Sequence, residues 1–375
     1  MKATVRRASF PDGRRILMLS DPHGHADGLR ALLKKAGLSR KDILVIVGDL
    51  LEKGPQSLDT LRLVMALEKE YTVYPLMGNV DLWRWEFLTS DDPGDALKMR
   101  DYSLRAREWW GGSFLHDLCG ELGVSLCETT DIVSLFPVIR RHFAPELQWL
   151  SRLPTILDTP GMTFVHGGLP HERLDELAGT DAFPLLKFDD FYRAGLSFRK
   201  FVTVGHWPTV LCSPAYPDFR PIIDRKRRII CLDGACGVKP EGQLNLLIQE
   251  DWRSEAFDLM TWDHLPAAVA LDGQASSPPE KAVYVNWNQR WITVLRRGEE
   301  MSRVDYQGKI LDVPNHFLGR EDDGRDYCRD ATDYVLPVSP GDELKVILPL
   351  KRGLYAKKDS AAGWYFGRYE MKTEV

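Results

Sequence analysis

The chain has 375 residues, 44% of them hydrophobic and 27% charged, with a formal net charge of −5. That length can bury a large core and predicts two or three domains, while the acidic balance argues against a general binder of nucleic-acid duplexes or membrane surfaces. No apolar run approaches a membrane span, the charged start MKATVRRASFPDGRR lacks the apolar core of a secretory signal, and six cysteines without a CxxC pair read as reduced thiols of a cytoplasmic protein.

In chain order, Arg15–Asp21 reads as a buried strand, and Ala26–Gly37 as a helix with Leu29, Leu32 and Leu33 on one face and Gly37 closing it. Ile43–Asp49 is a second strand. Gln56–Glu70 is a helix carrying Leu58, Leu61, Val64 and Leu67 at steps of three, with Pro55 just before it. Thr72–Met77 is a third strand, ending in Gly78-Asn79. Strand, helix, strand, helix, strand with short loops makes a βαβαβ unit and a parallel sheet. Polar ligand groups of such sheets gather beyond the carboxyl ends of the strands.

From residue 82 to about 157 the pattern is helical and rich in Trp, Leu and Arg. It reads as an insertion with Trp83, Trp85, Trp109 and Trp110 in its core, rather than as a platform for a nucleobase. Strands return at Met162–Val165, followed by His166-Gly-Gly168, and at Phe201–Val204, followed by Gly205-His206-Trp-Pro208. Arg228–Leu232 and Leu244–Ile248 are two more, joined by the Asp233–Gly237 turn. These elements assign a catalytic domain to residues 1–255. An Ala, Pro and Ser-rich linker at 256–280 and a small all-β domain at 281–375 follow. The short-strand rhythm of that last domain resembles bacterial SH3-like domains. Its Trp287, Trp291, Trp364, Tyr365 and Phe366 read chiefly as core, with a groove for a peptide or another subunit as the alternative use.

The polar residues that end the strands are Asp21, His23, Asp49, Asn79, His166 and His206. Singly each is ordinary, since an Asp after a strand often caps a turn. Jointly they form a carboxylate, imidazole and amide set that suits a borderline divalent metal better than Ca or Mg. Six ligands exceed one open site but suit two metals sharing a carboxylate. Such a pair, roughly 3.5–4 Å apart, clamps both oxygens of an in-line phosphoester hydrolysis.

Five motifs then appear in order: Asp21-Pro-His23-Gly24, Gly48-Asp-Leu-Leu-Glu-Lys-Gly54, Gly78-Asn-Val-Asp81, His166-Gly-Gly168 and Gly205-His206. They resemble the calcineurin-like metallophosphoesterases, and within them the bacterial phosphoprotein phosphatase and symmetrical diadenosine-tetraphosphate hydrolase branch, over about residues 14–250. The resemblance implies an α/β four-layer sandwich of two mixed sheets flanked by helices. It implies two divalent ions, Mn first with Fe, Zn or Ni as alternatives. Asp21, His23 and Asp49 would hold one ion; Asp49 (bridging), Asn79, His166 and His206 would hold the other. A hydroxide between the ions would attack phosphorus.

Two positions depart from that pattern. Lys53 stands where a phosphate-clamping Arg is usual, and Lys is a point charge without the bidentate fork. Val80 replaces a His that resembles the general acid, leaving Glu52 with no imidazole to orient. General acid catalysis is worth about 10²–10⁴-fold, so its loss favours phosphodiesters, phosphoanhydrides and aryl esters over alkyl monoesters. His25 and His171 are candidate substitute acids, and Arg173, Arg193 and Arg199 are candidate phosphate contacts. The expected substrate is a phosphorylated small molecule, a nucleotide or a phosphoprotein. The alternatives are a serine/threonine-type protein phosphatase and a weakened, metal-bearing scaffold acting through its C-terminal domain.

Overall fold

The computed structural model describes residues 1–372. One unit comprises Met1–Pro208 with Pro221–Asp263. It runs β1 (Val5–Arg7), β2 (Ile16–Leu19), α1 (Ala26–Lys35), β3 (Ile43–Ile46), α2 (Ser57–Glu70), β4 (Thr72–Pro75) and α3 (Asn79–Thr89). Four further helices follow: α4 (Pro93–Trp110), α5 (Phe114–Glu121), α6 (Ile132–His142) and α7 (Ala144–Leu150). The unit then continues through β5 (Ile156–Asp158), β6 (Met162–Val165), β7 (Phe201–Val204), β8 (Ile222–Asp224), β9 (Ile229–Cys231), β10 (Leu244–Gln249) and β11 (Asp258–Trp262).

Two mixed sheets result. The first has the order β11-β10-β2-β3-β4, with β2, β3 and β4 parallel, β10 antiparallel to β2 and β11 antiparallel to β10; the second has the order β1-β5-β6-β7-β9-β8. Alternate residues of each strand serve different cores. Ile16, Met18, Ile43 and Val45 share a buried cluster with Phe164, Met162, Phe201 and Ile230 of the other sheet. Leu17, Leu19, Leu44 and Ile46 belong instead to the cluster that holds Leu29 and Leu32 of α1 and Leu58, Leu61 and Val64 of α2. With both faces buried, the strands read as unbroken apolar runs. Between β6 and β7 the short helical segments Leu174–Leu177 and Phe183–Leu186 share a buried cluster with Val165, Val202 and Val204, so helices, sheet, sheet and helical segments stack as the expected four-layer α/β sandwich.

Four strands of this unit were not expected from the sequence, β11 in the stretch read as linker and three that are very short. β1, β5 and β8 are three residues each, and two of them lie at the edges of the second sheet. Short, partly charged edge strands resist further pairing, and so little alternation remains that no pattern shows. β5 also takes Ile156 and Leu157 out of the stretch read as helical insertion.

The insertion's core differs from expectation as well. Trp109 is 61% exposed and Trp83 41%, the latter stacked on Phe183 with ring centroids 6.0 Å apart. The buried positions are instead Phe114, Leu115 and Leu118 of α5, Ile132, Phe136 and Ile139 of α6, and Phe143. Helices start at caps that the sequence carries: Asp92 accepts from Gly94 N at 2.8 Å and Asp131 from Ser134 N at 3.2 Å.

The other unit comprises Thr209–Arg220 and the chain from His264 onward. Its largest sheet has the order Ala361–Tyr365, Gly353–Lys358, Glu343–Leu350, Ala267–Ala270, Tyr369–Met371, and a three-stranded sheet spans Thr293–Pro314. Named strands here pair antiparallel. Ala267–Ala270 lies between two partners in that sheet, and β11 completes the first sheet of the other unit. Residues 256–280 thus contain two paired strands as well as the Ala, Pro and Ser-rich stretch. Trp364 and Tyr365 are buried, and Trp364 Nε1 donates to Thr332 O at 2.9 Å, so both serve the core.

Phe164 is fully buried between the sheets. Phe164→Ala should cost about 3–5 kcal/mol, read as a lower urea midpoint at unchanged slope.

Candidate metal centre

Each sheet delivers its polar residues just past the ends of its strands. Asp21 follows β2, Asp49 follows β3, Asn79 opens α3 after β4, His166 follows β6 and His206 follows β7. The loops leave the sheet abruptly. Asp21, His23, Asp49, Glu52, Lys53 and His206 all have positive φ, between 41° and 65°, and they are six of the thirteen non-glycine residues with positive φ among those described. Backbone of this kind costs of order 1–3 kcal/mol per residue and persists only where the surroundings over-determine it.

Those surroundings are visible. The parallel ladder continues past the strands, with Asp21 N donating to Gly48 O, His23 N to Asp49 O and Gly24 N to Leu50 O at 2.9–3.1 Å. The buried carboxylate of Asp81 accepts from Leu50 N, Leu51 N and Gly78 N at 2.9–3.1 Å, joining the loop after β3 to the one after β4. At the junction a side chain on Gly78 would lie 2.1 Å from Asp49 N and Oδ1, so the loops meet only because position 78 carries none.

The candidate ligands converge. His23 Nε2 lies 3.8 Å from Asp21 Oδ1 and 3.7 Å from Asp49 Oδ2, and the ligand atoms of all three buried residues fall within 4.8 Å of one another. Across Asp49, His166 Nε2 lies 3.4 Å from Asp49 Oδ1 and 3.0 Å from Asn79 Oδ1. The far nitrogens are tied back, His23 Nδ1 to Leu51 O at 3.0 Å and His166 Nδ1 to Val47 O at 2.7 Å. Each bond points Nε2 at the cluster, as outer-shell carbonyls do for metal-binding histidines. His206 donates its N–H to Asp21 Oδ2 at 3.1 Å; its ring centroid lies 5.4 Å from that of His166, and Nε2 is 2.7 Å from Asp189 Oδ1.

The donors fit a metal. Asp21 Oδ1 is buried with no hydrogen-bond partner among the described residues, an orphan a cation would satisfy. Ligands bonded at about 2.1 Å sit about 3.0–3.4 Å from their neighbours in octahedral or tetrahedral geometry, close to the spacings around His166. The electrostatics ask for positive charge. Burial, then the charge of Asp233, raises Asp21 well above the usual carboxylate range. Asp49 is held far below that range, burial opposing, by His166, His23 and Lys53. Burial lowers His166, but Asp49 and Asp21 outweigh it and raise it to about 10. Burial and Lys53 depress His23 to about 3; burial and His166 depress His206 to about 4.

The remaining predicted residues divide. Lys53 Nζ reaches to 3.2 Å from His23 Nε2. Val80 is buried, and only its backbone N–H acts here, donating to Asp49 Oδ1 at 2.9 Å. Glu52 is paired, with Arg84 Nε 2.5 Å from its Oε1. His25 Nδ1 donates back to His23 O at 2.8 Å and Pro22 O at 3.2 Å, and its ring lies 5.8 Å from that of Trp262. Arg173 pairs with Glu176 at 2.9 Å, His171 lies 3.9 Å from the same Glu176, Arg199 pairs with Glu172 at 3.1 Å and Arg193 lies 3.5 Å from Asp190.

Four residues near the cluster escaped the sequence reading. Asp233 follows β9 and is buried; the rule that selected the other strand-end residues would have selected it too. Asp81 closes the Gly78-Asn-Val-Asp81 motif, but its three-way backbone role has no sequence signature. Arg84 and Asp189 lie outside any motif.

In chelator-treated protein these shifts set a pH dependence. The unfolded chain takes up protons at His23 and His206 near pH 6.5, and the folded chain does so only near 3 and 4, so stability should fall as pH drops from about 6.5 towards 4. The His166 contribution has the opposite sense: it is complete below 6.5 and is lost as pH rises through about 10. Urea unfolding across that range checks both. Because a ligating imidazole must be neutral, metal uptake should also release protons and strengthen with pH. Calorimetric titration of Mn in buffers of different ionisation enthalpy would show it.

Among curated proteins, the chain is 42% identical over 66 residues to the symmetrical bis(5'-nucleosyl)-tetraphosphatase of Hamiltonella defensa and 44% identical over 66 residues to that of Psychromonas ingrahamii. Each match covers 17% of this chain and 23% of the relative, so the chain spans under a quarter of the length of these curated relatives. Among solved structures, a cold-active protein-tyrosine phosphatase of a Shewanella species aligns at 16% identity and a TM-score of 0.42, over 70% of this chain and 83% of that one. Residues 14–222 match the family model of the calcineurin-like phosphoesterases, and the chain belongs to that family.

Proposed function

We propose that the chain is a metal-dependent phosphoester hydrolase that holds two divalent cations, Mn first and Fe, Zn or Ni next. Asp21, His23 and Asp49 hold one, and Asp49, Asn79, His166 and His206 hold the other. One observation carries this reading: the two oxygens of Asp49 face opposite ways, Oδ2 toward His23 at 3.7 Å and Oδ1 toward His166 at 3.4 Å. A carboxylate aimed at two imidazoles, with Asp21 beyond one and Asn79 beyond the other, suits a bridging ligand. Cations bound there supply an activated water and neutralise charge on the phosphoryl group.

The chain's own residues do the rest. Leu51 O and Val47 O hold the His23 and His166 rings with Nε2 inward. Lys53 offers its ammonium to the phosphoryl oxygens as a point charge. Val80 has no proton to give, so the leaving oxygen must depart as a weak base. A phosphoanhydride or an aryl ester, whether monoester or diester, satisfies that condition, and a serine alkoxide does not. A nucleotide polyphosphate is the preferred substrate class, a choice that the resemblance to the tetraphosphatases also supports. No helix among the described residues is long and apolar enough to cross a membrane, and no disulfide joins the six cysteines among the described residues, as suits the reducing cytoplasm.

A panel of bis-p-nitrophenyl phosphate, a dinucleoside polyphosphate and phosphoserine peptides, each with Mn, Ni, Zn and Mg, tests the proposal. The first two should be hydrolysed faster than the peptides, and Asp49→Asn should abolish turnover. An Asp49→Asn variant as active as the wild type would exclude the shared-carboxylate centre. Val80→His should raise monoesterase activity, by at most about 10²–10⁴-fold; no gain would remove the argument from the missing acid.

A further inference from the structure

Glu52 lacks the imidazole that its motif would have it orient, yet it is not idle. From the next turn of α3, Arg84 Nε donates to Glu52 Oε1 at 2.5 Å. Arg84 is 2% exposed and Glu52 0%. The guanidinium lies 4.1 Å over the ring of Tyr102 from α4, which packs its flat face as Arg readily permits. The second oxygen of Glu52 has no hydrogen-bond partner among the described residues, so the carboxylate is anchored by Arg84.

That anchor sits under a strained piece of backbone. Glu52 and Lys53 are consecutive non-glycine residues at φ of 65° and 59°, and the Glu52 N–H donates to Ser57 Oγ at 2.9 Å. The side chain of the second residue ends 3.2 Å from His23 Nε2. A lysine stem has many rotamers and no planar fork, so the aim of its ammonium depends on how firmly its Cα is held.

We infer that Arg84 and Tyr102 are positioning residues, which act through Glu52 to fix the backbone from which Lys53 reaches the phosphoryl-binding side of the centre. The helical insertion thereby contributes to binding without touching the substrate. This rests on the reading of Lys53 as the phosphate-binding cation given above.

The test is a double-mutant cycle on the Mn-loaded protein. Its readouts are orthophosphate affinity by calorimetry, and KM and kcat for bis-p-nitrophenyl phosphate. Lys53→Met should weaken orthophosphate by about tenfold or more, the worth of one charge-assisted hydrogen bond. Arg84→Lys, and separately Tyr102→Leu, should raise KM and weaken orthophosphate several-fold while kcat moves less. On the Lys53→Met background neither should have a further effect, because residues acting through one another are not additive. Additive losses, or an Arg84→Lys protein with wild-type phosphate affinity and KM, would overturn the inference while leaving the hydrolase reading intact. If the cycle shows the coupling in orthophosphate binding yet the wild-type protein hydrolyses no ester, the hydrolase reading fails and the positioning role stands.

Discussion

Three backbone N–H groups from two loops meet on one buried carboxylate, that of Asp81, and the centre depends on this meeting. With the Val80 N–H bond to Asp49 Oδ1, it holds the loop after β3 against the start of α3, with Asp49 and Asn79 side by side. The carboxylate sits under the negative charge of Asp49, and burial together with that charge raises it to about 7, against donors that favour its ionised form. The fold tolerates such a group because the alternative, three buried N–H groups without acceptors, costs more. Stability is spent here on geometry, as the run of positive φ values in the same loops also shows.

The balance of charge follows from that geometry. Asp21, Asp49, Asp81 and Asp233 are all buried within one electrostatic neighbourhood. Among the described charges, the opposing cations are the Lys53 ammonium and His166, which Asp49 and Asp21 keep protonated against burial. A site so acidic is poised for divalent cations and unfavourable to a bare phosphate. Under the proposed function, metal and substrate are complementary requirements, since the acidic pocket must gain positive charge before it can attract a phosphoryl group.

Much of this was legible in the sequence because each signal was a local one. Asp21, Asp49, Asn79, His166 and His206 each follow an apolar run, and a chain that alternates such runs with amphipathic helices has few ways to fold. The sandwich was legible for the same reason, since strands buried on both faces leave no polar residues to obscure them. Asp233 was missed although the same local rule fits it, and two other misses at the site were non-local. Arg84 meets Glu52 through the packing of α3 over a loop, and Asp189 meets His206 across a segment without motif or period. The tryptophans of the insertion misled because bulk suggests core, whereas Trp109 lies largely in solvent, Trp83 is partly exposed, and branched and phenyl side chains fill the interior. β11 and Ala267–Ala270 hid in a stretch whose Ala, Pro and Ser content reads as linker.

The bond from His206 N to Asp21 Oδ2 joins residues 185 positions apart, and that separation has a consequence for how the protein is made. A chain emerging from the ribosome N-terminus first presents Asp21, His23, Asp49 and Asn79 long before His166 and His206. Loop-closure entropy must be met before so distant a pairing is rewarded, so the second sheet docks late. The early half of the proposed ligand set is mostly oxygen, with His23 its one imidazole, and two further imidazoles come last. If these residues bind metal as proposed, the set that would discriminate among cations is complete only when the two sheets close on each other.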